Sequence, residues 1–197
     1  MTTPGTARDR AKAERSDAIL REAAHLFAES GYNGVSLEDI GAAVGVSGPA
    51  VYRHFAGKQA LLGAVLIRVS EDLIAGGTEV ASASAAQDER MRALIGFHVD
   101  FALGRADVIR VHDRDVAHLA PRDHAEVRRL QRAYIELWIA TLAPLIEADA
   151  DELRLRVQAC FGLINSTPHS TRSASRRHSA TATVLAAMAE SALRATI

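Results

Sequence analysis

Residues 47–58, SGPAVYRHFAGK, concentrate side chains that can contact an anion. The stretch carries hydroxyl groups at Ser47 and Tyr52, an imidazole at His54, and cationic groups at Arg53 and Lys58. Such groups are the donors that proteins place against the phosphate oxygens of nucleic acids. The chemistry that this spacing favours is therefore binding to a phosphate backbone, with Arg53 also able to reach a base.

Three small residues, Gly48, Pro49 and Ala50, follow Ser47 directly. Ser47 is a typical helix N-cap, and proline is tolerated in the first turn because its missing N–H is not needed there. The pattern predicts a short helix that ends near Ala56. Its small first residues could approach base edges and offer apolar contact, for instance to a thymine methyl group, in place of bidentate hydrogen bonds.

The residues before this helix predict a tight turn between two helices. Gly41 and Ala42 are small enough for a close approach of two helix backbones, and Gly45 tolerates positive φ. The second helix also needs buried apolar anchors, for which we expect Val46, Val51 and Phe55. Residues 37–54 therefore have the pattern of a helix-turn-helix. The alternative is an ordinary helical hairpin with Tyr52 and Phe55 in its core.

Two further groups flank this unit. Ser36 is expected to cap the first of the two helices, with Asp39 completing a capping box, and its side chain or backbone N–H could contact a phosphate. Lys58 is expected to begin the next helix, where its charge and the first backbone amides together could bind another phosphate.

The rest of the chain shows helical periodicity, and we predict an all-α protein of about nine helices. Helix one is expected to begin at Ser16 and to end at Gly31. A long fourth helix should run from Lys58 to about Ala75 and end at Gly76-Gly77, with a loop or weak helix over 78–87. Further helices are expected at 88–103, 107–119, 123–142, 150–167 and 178–194. A turn is expected over 167–177, between the last two of these helices.

We divide the sequence into three parts: an arm over 1–15, a helix-turn-helix domain over 16–58 and a second domain over 59–197. The arm is expected to be disordered, because it offers little to bury. It is net basic, with Arg8, Arg10, Lys12 and Arg15 against two acidic residues. It is either a solvated tail or an arm that follows DNA.

Composition restricts the other function classes. A net charge of −1 means that nucleic-acid binding must come from a local patch. The single cysteine, Cys160, excludes an intrachain disulfide and cysteine-based zinc sites. No apolar run approaches the roughly 20 residues that span a membrane, so we expect a soluble cytoplasmic protein without membrane partners. Since the common catalytic and phosphate-loop motifs are missing, we expect neither an enzyme nor a cofactor.

Residues 16–66 resemble the N-terminal DNA-binding region of the TetR family of transcriptional repressors. The matching segments are ILREAAHLFAESGYNGVSLEDIGAAVGVS and VYRHFAGKQALLGAVL. The resemblance implies a three-helix DNA-binding unit, a long linking helix and an all-helical domain for ligand binding and dimerisation. It also implies a homodimer that reads a palindromic operator on double-stranded DNA.

Carried over by motif, the resemblance assigns DNA contacts to Ser36, Ser47, Gly48, Pro49, Tyr52, His54 and Lys58. The residues after the Gly-Val-Ser turn depart from the family, which often has a lysine or a polar residue where this sequence has Gly48-Pro49. Base reading would then depend on Ala50, on Arg53, on the arm or on DNA shape.

In the second domain, we expect a ligand pocket with an apolar wall and some polar groups. The candidate pocket residues are Phe97, His98, Phe101, His112, Asp115, Tyr134, Trp138, Phe161 and Asn165. Packing in the core is the alternative for each aromatic residue. The segment around His112 and Asp115 has a further alternative, a hydrogen-bond network with Arg114.

The resemblance leads to one main interpretation and two alternatives. The segment FGLINSTPHS, 161–170, resembles a segment of a TetR subgroup linked to fatty-acid, acyl-CoA or steroid catabolism. The alternative for this segment is a helix end with a proline stop, stabilised by Asn165 and Ser166. The main interpretation is a homodimeric repressor released from DNA by a small hydrophobic or acyl-CoA-like effector. One alternative is a metal-sensing repressor that uses His98, His112 and His118, and the other is a helical adaptor without a DNA role.

Overall fold

A computed structural model describes residues 6–83, 86–167 and 175–196 of the chain. All regular elements in these three ranges are helical, which confirms the predicted all-α class with nine helices. The helices are α1 (Ala7–Ser30), α2 (Leu37–Ala43), α3 (Gly48–Tyr52), α4 (Lys58–Ser82), α5 (Gln87–Gly104), α6 (Ala106–Asp115), α7 (Pro121–Leu142), α8 (Ala150–Asn165) and α9 (Ser175–Leu193). Short 3₁₀ turns follow α6 (Val116–His118) and α7 (Ala143–Leu145).

Helix α1 begins nine residues earlier than predicted. Thr6 and Asp9 form a capping box, in which the Thr6 hydroxyl and backbone N–H bond the Asp9 carboxylate and the Asp9 N–H bonds the Thr6 hydroxyl. The expectation of a disordered arm is therefore wrong for residues 7–15, and residues 1–5 lie outside the described part. Gly31 ends the helix with φ of 77°, as predicted.

Helix α4 does not end at Gly76-Gly77, as predicted, but continues to Ser82. Both glycines lie where other helices cross α4 closely. A Cβ atom at Gly76 would lie 2.5 Å from ring atoms of Phe97, and one at Gly77 would lie 2.7 Å from Cε2 of Tyr134. These glycines therefore permit close packing of α5 and α7 on α4.

Helix α3 is shorter than predicted, since it ends at Tyr52 and a turn leads to α4. Of the turn predicted over 167–177, residues 168–174 lie outside the described residues, and α9 has begun by Ser175. The part of the chain that the structure describes contains no helix long and apolar enough to cross a membrane.

Two hydrophobic clusters form the core, and α4 contributes to both. The first packs α1, α2, α3 and the N-terminal half of α4 against α6, around Phe27, Ile40 and Leu61. The second packs α5, α7, α8 and α9 around Trp138, with Leu73 and Ile74 of α4 at its edge. Helix α6 places Val108 and Val111 in the first cluster and Ile109 in the second, so α4 and α6 connect the two.

Candidate nucleic-acid interface and ligand cavity

The turn between α2 and α3 has the predicted helix-turn-helix geometry. Gly45 has φ of 69°, and the N–H of Val46 donates to the carbonyl of Gly41 over 2.8 Å. A Cβ atom at Gly41 would lie 2.9 Å from the carbonyl oxygen of Val46, so this crossing requires glycine. Ala42 is exposed and does not contribute to the close approach.

Helix α3 presents most of the predicted contact residues to solvent. Pro49, Tyr52 and Arg53 are exposed, whereas Ala50 and His54 are half-buried. Tyr52 is 54% exposed, which excludes it from the core of the described chain. Of the predicted anchors, Val51 is fully buried, and Val46 and Phe55 pack at the edge of the first cluster.

Gly48 is an exception, because it is buried and not exposed as predicted. A Cβ atom there would lie 3.2 Å from Cγ and Oε1 of Glu38, so the side chain of α2 covers this position. Ser47 occupies the N-cap position and is exposed, but in the described structure its side chain makes no capping hydrogen bond. The exposed N-terminal edge of α3 is therefore formed by Ser47 and Pro49, with Ala50 partly accessible.

Ser36 caps α2 as predicted. Its hydroxyl donates to Oδ2 of Asp39 over 2.6 Å and accepts from the Asp39 N–H over 3.1 Å. The hydrogen bonds that the Asp39 carboxylate accepts from the hydroxyl and the backbone N–H of Ser36 hold the pKa of this carboxyl below its usual range. The hydroxyl of Ser36 is thus engaged within the protein, and its contact with a phosphate stays a prediction.

Lys58 lies at the start of α4 as predicted, but its ammonium group points at the protein. Nζ donates to the carbonyl oxygens of Tyr32 and Val35, each over 2.8 Å, and lies 4.5 Å from the centre of the Tyr32 ring. Lys58 therefore fixes the α1–α2 turn against α4. These two hydrogen bonds use two of the three ammonium hydrogens of Lys58, so one hydrogen remains to donate to a phosphate.

Arg114 and Asp115, at the end of α6, bind the end of α1. Arg114 donates to the carbonyls of Phe27 and Ala28, and its guanidinium pairs with Asp115 over 3.0 Å. Asp115 is buried and accepts the backbone N–H of Tyr32 over 3.4 Å. Asp115 is not among the described residues that line the cavity, and it forms the hydrogen-bond network with Arg114 that was the alternative to a pocket role.

A cavity of about 270 Å³ lies between α4, α5, α6, α7 and α8. Five of the predicted pocket residues line it, namely Phe101, His112, Tyr134, Phe161 and Asn165. Helix α4 also lines the cavity, a contribution that was not predicted, with Leu66, Val69, Ser70 and Leu73. Leu66, Val69 and Leu73 recur at helical spacing on one apolar face of α4. Such periodicity indicates that a face is buried but not whether it borders a cavity.

Phe97, His98 and Trp138 are not among the described residues that line the cavity. Phe97 packs on Gly76, and Trp138 is fully buried with its ring perpendicular to that of Phe161. His98 lies behind the lining, stacked on Phe161 with 4.6 Å between ring centres. The core alternative therefore applies to Phe97 and Trp138.

His98 is a buried, neutral imidazole. Nδ1 lies 3.3 Å from the hydroxyl of Tyr134, and burial lowers the pKa of His98 to about 4, although the neighbouring Asn165 opposes the shift. In the described structure, neither Nε2 of His98 nor Oδ1 of Asn165 has a partner within hydrogen-bonding geometry. Burial also raises the pKa of Tyr134, so this end of the cavity is polar but uncharged.

The three histidines of the metal alternative are not brought together. His98 contacts Tyr134, Nε2 of His112 lies 2.6 Å from Nε2 of Gln131, and the ring of His118 stacks on Tyr32. Within the described ranges, no group of three or more His, Cys, Asp or Glu residues could hold a metal ion. The geometry therefore gives the metal-sensing alternative no support.

Two family models match the sequence and together span about two thirds of it. Residues 19–65 match the bacterial regulatory proteins of the tetR family, and residues 84–169 match a tetracyclin repressor-like C-terminal domain. The first range contains the helix-turn-helix, and the second contains the cavity residues of α5 to α8.

Known proteins agree with this assignment. The chain is 23% identical to the HTH-type transcriptional repressor KstR2 of Rhodococcus jostii, over 85% of this chain and 82% of that protein. It is 32% identical to the HTH-type transcriptional activator FasR of Mycolicibacterium smegmatis, over 45% of this chain and 40% of that protein. The TetR-family regulator PfmR of Thermus thermophilus has the same fold, with a TM-score of 0.76, 24% identity and 98% of each chain covered. The chain belongs to the TetR family of bacterial transcriptional regulators.

Proposed function

We propose that this regulator is a homodimeric repressor that binds a palindromic operator and is released when a small hydrophobic effector enters the cavity. One observation carries the proposal: α6 lines the cavity and also binds the helix-turn-helix domain. His112 and Asp113 of α6 border the cavity, and Arg114 and Asp115, the next two residues, bind the end of α1 and the turn after it.

The exposed side of α3 supports the DNA contact. Tyr52 and Arg53 offer a phenol and a guanidinium for phosphates, and Arg53 can also reach a base. Pro49 and Ala50 offer apolar contact to a thymine methyl group. Because Gly48 is covered by Glu38, we leave it out of the contact surface and assign it to the packing of α3 on α2.

The proposed release is a shift between two populated states. An effector that binds better when α6 is displaced would favour the displaced state, and α1 would follow because Arg114 holds its last carbonyls. The differential affinity sets the size of the shift, since an effector with equal affinity for both states would change nothing.

The surface of α8 and α9 supports dimerisation. Four large hydrophobic residues are exposed in the described part of the chain. One is Tyr52 beside α3, and the other three are Leu155 on α8 and Val184 and Met188 on α9. Val184 and Met188 are four residues apart and therefore share one face of the helix. A second copy that covers this face would place two α3 helices in a two-fold arrangement, as a palindromic operator requires.

Fluorescence anisotropy with labelled DNA from upstream of the gene tests the proposal. We expect saturable binding at two protomers per palindrome, and an affinity that falls steeply between 50 and 200 mM salt. Binding that is absent or insensitive to salt would contradict the DNA role. A transcription assay from the same promoter then distinguishes repression from activation.

Substitutions on α3 locate the interface. Arg53→Ala should weaken operator binding at least tenfold, because a guanidinium contact is lost. Arg122→Ala, which removes an exposed arginine at the start of α7, is the matched control and should change binding less than twofold. Tyr52→Phe should weaken binding with an unchanged melting temperature, and a loss of several kcal/mol of stability would contradict the exposed position of Tyr52.

A further inference from the structure

A hydrogen bond between Gln131 and His112 joins the α7 wall of the cavity to the α6 wall. Nε2 of Gln131 lies 2.6 Å from Nε2 of His112, and both side chains line the cavity. The amide donates to the imidazole when the imidazole proton is on Nδ1. The carboxylate of Asp113, whose Oδ1 lies 3.4 Å from Nδ1, favours this tautomer. The position of α6 relative to α7 is therefore held by a side chain of α7.

Helix α6 is also bound to α1, at both of its ends. At the start of α6, Oδ2 of Asp107 lies 3.0 Å from Nδ1 of His25 on α1. At the end of α6, Arg114 donates to the backbone carbonyls of Phe27 and Ala28. Because α6 is only ten residues long and is fixed to α1 at both ends, we expect the two helices to move together.

The bond between His112 and Gln131 opposes widening of the cavity. The volume of about 270 Å³ lies just below the range of roughly 300–1,000 Å³ that is usual for small-molecule sites. A ligand that moves the α6 wall away from the α7 wall has to lengthen or break this bond. The same movement displaces Arg114, two residues further along α6, and with it the end of α1.

We propose that Gln131 is a positioning residue for the DNA-binding domain. Through His112 it holds α6, and with it α1, in the place that operator binding requires. This role rests on the proposed function for the use of the operator and of the cavity. It deepens that function by assigning the coupling between them to a side chain on α7, outside the helix-turn-helix domain.

Hydrogen exchange of the full-length chain without DNA tests the positioning of α6. Gln131→Leu keeps a side chain of similar size and removes its amide group. We expect the backbone amides of residues 106–115 to exchange at least fivefold faster in this variant, because α6 loses a hydrogen bond that opposes its opening. Gln131→Glu should restore the wild-type rate, since the carboxylate can accept a hydrogen bond from the Nε2–H of His112.

Gln87→Leu is the matched control for the loss of an inter-helix hydrogen bond. The half-buried Gln87, at the start of α5, donates from its amide to the carbonyl of Thr141 on α7 over 2.8 Å. This variant should leave the exchange of residues 106–115 unchanged, whatever its effect on the melting temperature. The comparison separates the positioning of α6 from a general loss of stability.

Fluorescence anisotropy with DNA from upstream of the gene tests the consequence for the operator. When only a fraction of the protein has its α3 helices placed for the half-sites, the apparent dissociation constant rises by the inverse of that fraction. We expect Gln131→Leu to weaken operator binding at least threefold. Gln131→Glu and Gln87→Leu should both bind within twofold of the wild type.

Equal exchange of residues 106–115 in Gln131→Leu and in the wild type contradicts the positioning role. Faster exchange that Gln131→Glu does not reverse, or that Gln87→Leu reproduces, contradicts it as well. Faster exchange together with unchanged or tighter operator binding shows that the position of α6 does not control the operator, which also overturns the inference. If the wild-type chain does not bind the DNA at all, the proposed function fails, and the exchange measurement still decides whether Gln131 positions α6.

Discussion

The ring of His118 stacks on the ring of Tyr32, with 4.7 Å between their centres and 27° between their planes. His118 lies in the 3₁₀ turn after α6, and Tyr32 lies in the turn between α1 and α2. The backbone of His118 is bound as well, since the side-chain amide of Gln59 on α4 donates to the backbone carbonyl of His118 over 2.9 Å. The turn after α6 is therefore held by the DNA-binding unit and by the first turn of α4, so a displacement of α6 strains both.

Arg114→Met should remove the main link between α6 and α1. The variant loses the bonds to Phe27 and Ala28 and leaves the buried carboxylate of Asp115 without its cation. Because Arg114 is itself about half exposed, we expect a loss of about 1–2 kcal/mol in the free energy of unfolding, measured in urea. Arg122→Met is the exposed control. A change below about 0.5 kcal/mol, the usual range for surface substitutions, would show that the link is weak.

Lys58→Met should separate a structural role from a phosphate contact. Loss of the two carbonyl bonds predicts a fall of about 1.5–3 kcal/mol in the free energy of unfolding, since these bonds involve a charged donor in a half-buried site. A phosphate contact through the remaining hydrogen would in addition reduce the slope of log K against log salt by about 0.9.

Lys12→Met, at an exposed position of α1, is the control for the loss of a lysine. It should leave the free energy of unfolding unchanged. If Lys58→Met lowers the salt slope and not the stability, the carbonyl bonds seen in the structure contribute little.

The sequence was sufficient for features that depend on neighbouring residues. The capping box of Ser36 and Asp39, the positive φ of Gly45 and the end of α1 at Gly31 all follow from local chemistry. The same rules would have found the box of Thr6 and Asp9, which the polar composition of residues 1–15 concealed.

Features that depend on distant residues were not predictable. Gly76 and Gly77 can end a helix or admit another helix, and the contacts of Phe97 and Tyr134 decide between the two. In the same way, Lys58 could face DNA or the α1–α2 turn, and the decision comes from the carbonyls of Tyr32 and Val35. Helical periodicity likewise predicts which helix faces are buried, but it does not predict which of the buried faces border a cavity.

Gly77→Ala should destabilise the protein although alanine is the better helix former. A Cβ atom at this buried position would lie 2.7 Å from Tyr134 and 3.2 Å from Leu137, and we expect a cost of about 1–3 kcal/mol. Gly96→Ala in α5 is the matched control, because a Cβ atom there meets nothing within 4 Å. It should stabilise by about 0.5–1 kcal/mol, measured by urea unfolding. Equal effects of the two substitutions would contradict the packing role of Gly77.

The burial of neutral His98 predicts that stability falls as the solution becomes acidic. The pKa of His98 is lowered to about 4, below the value of about 6.5 expected in the unfolded chain. At a pH between these two pKa values, His98 binds a proton in the unfolded state but not in the folded state. The free energy of unfolding therefore decreases as pH falls through this range. The single-site linkage gives a loss of about 2 kcal/mol between pH 7.5 and pH 5.

His98→Leu should remove this dependence, whatever its effect on stability at pH 7.5. Tyr134 and Cys160, the other buried titratable groups near His98, have raised pKa values and remain neutral throughout this range. His25→Gln is the control of opposite sign, because the hydrogen bond that His25 donates to the Asp107 carboxylate raises the pKa of His25, and the stability that this bond contributes is lost as pH rises. Urea unfolding at pH 7.5, 6.5, 5.8 and 5 measures both slopes. If the wild type and His98→Leu have the same slope, the His98 imidazole takes up its proton in the folded state, which requires water to reach the polar end of the cavity.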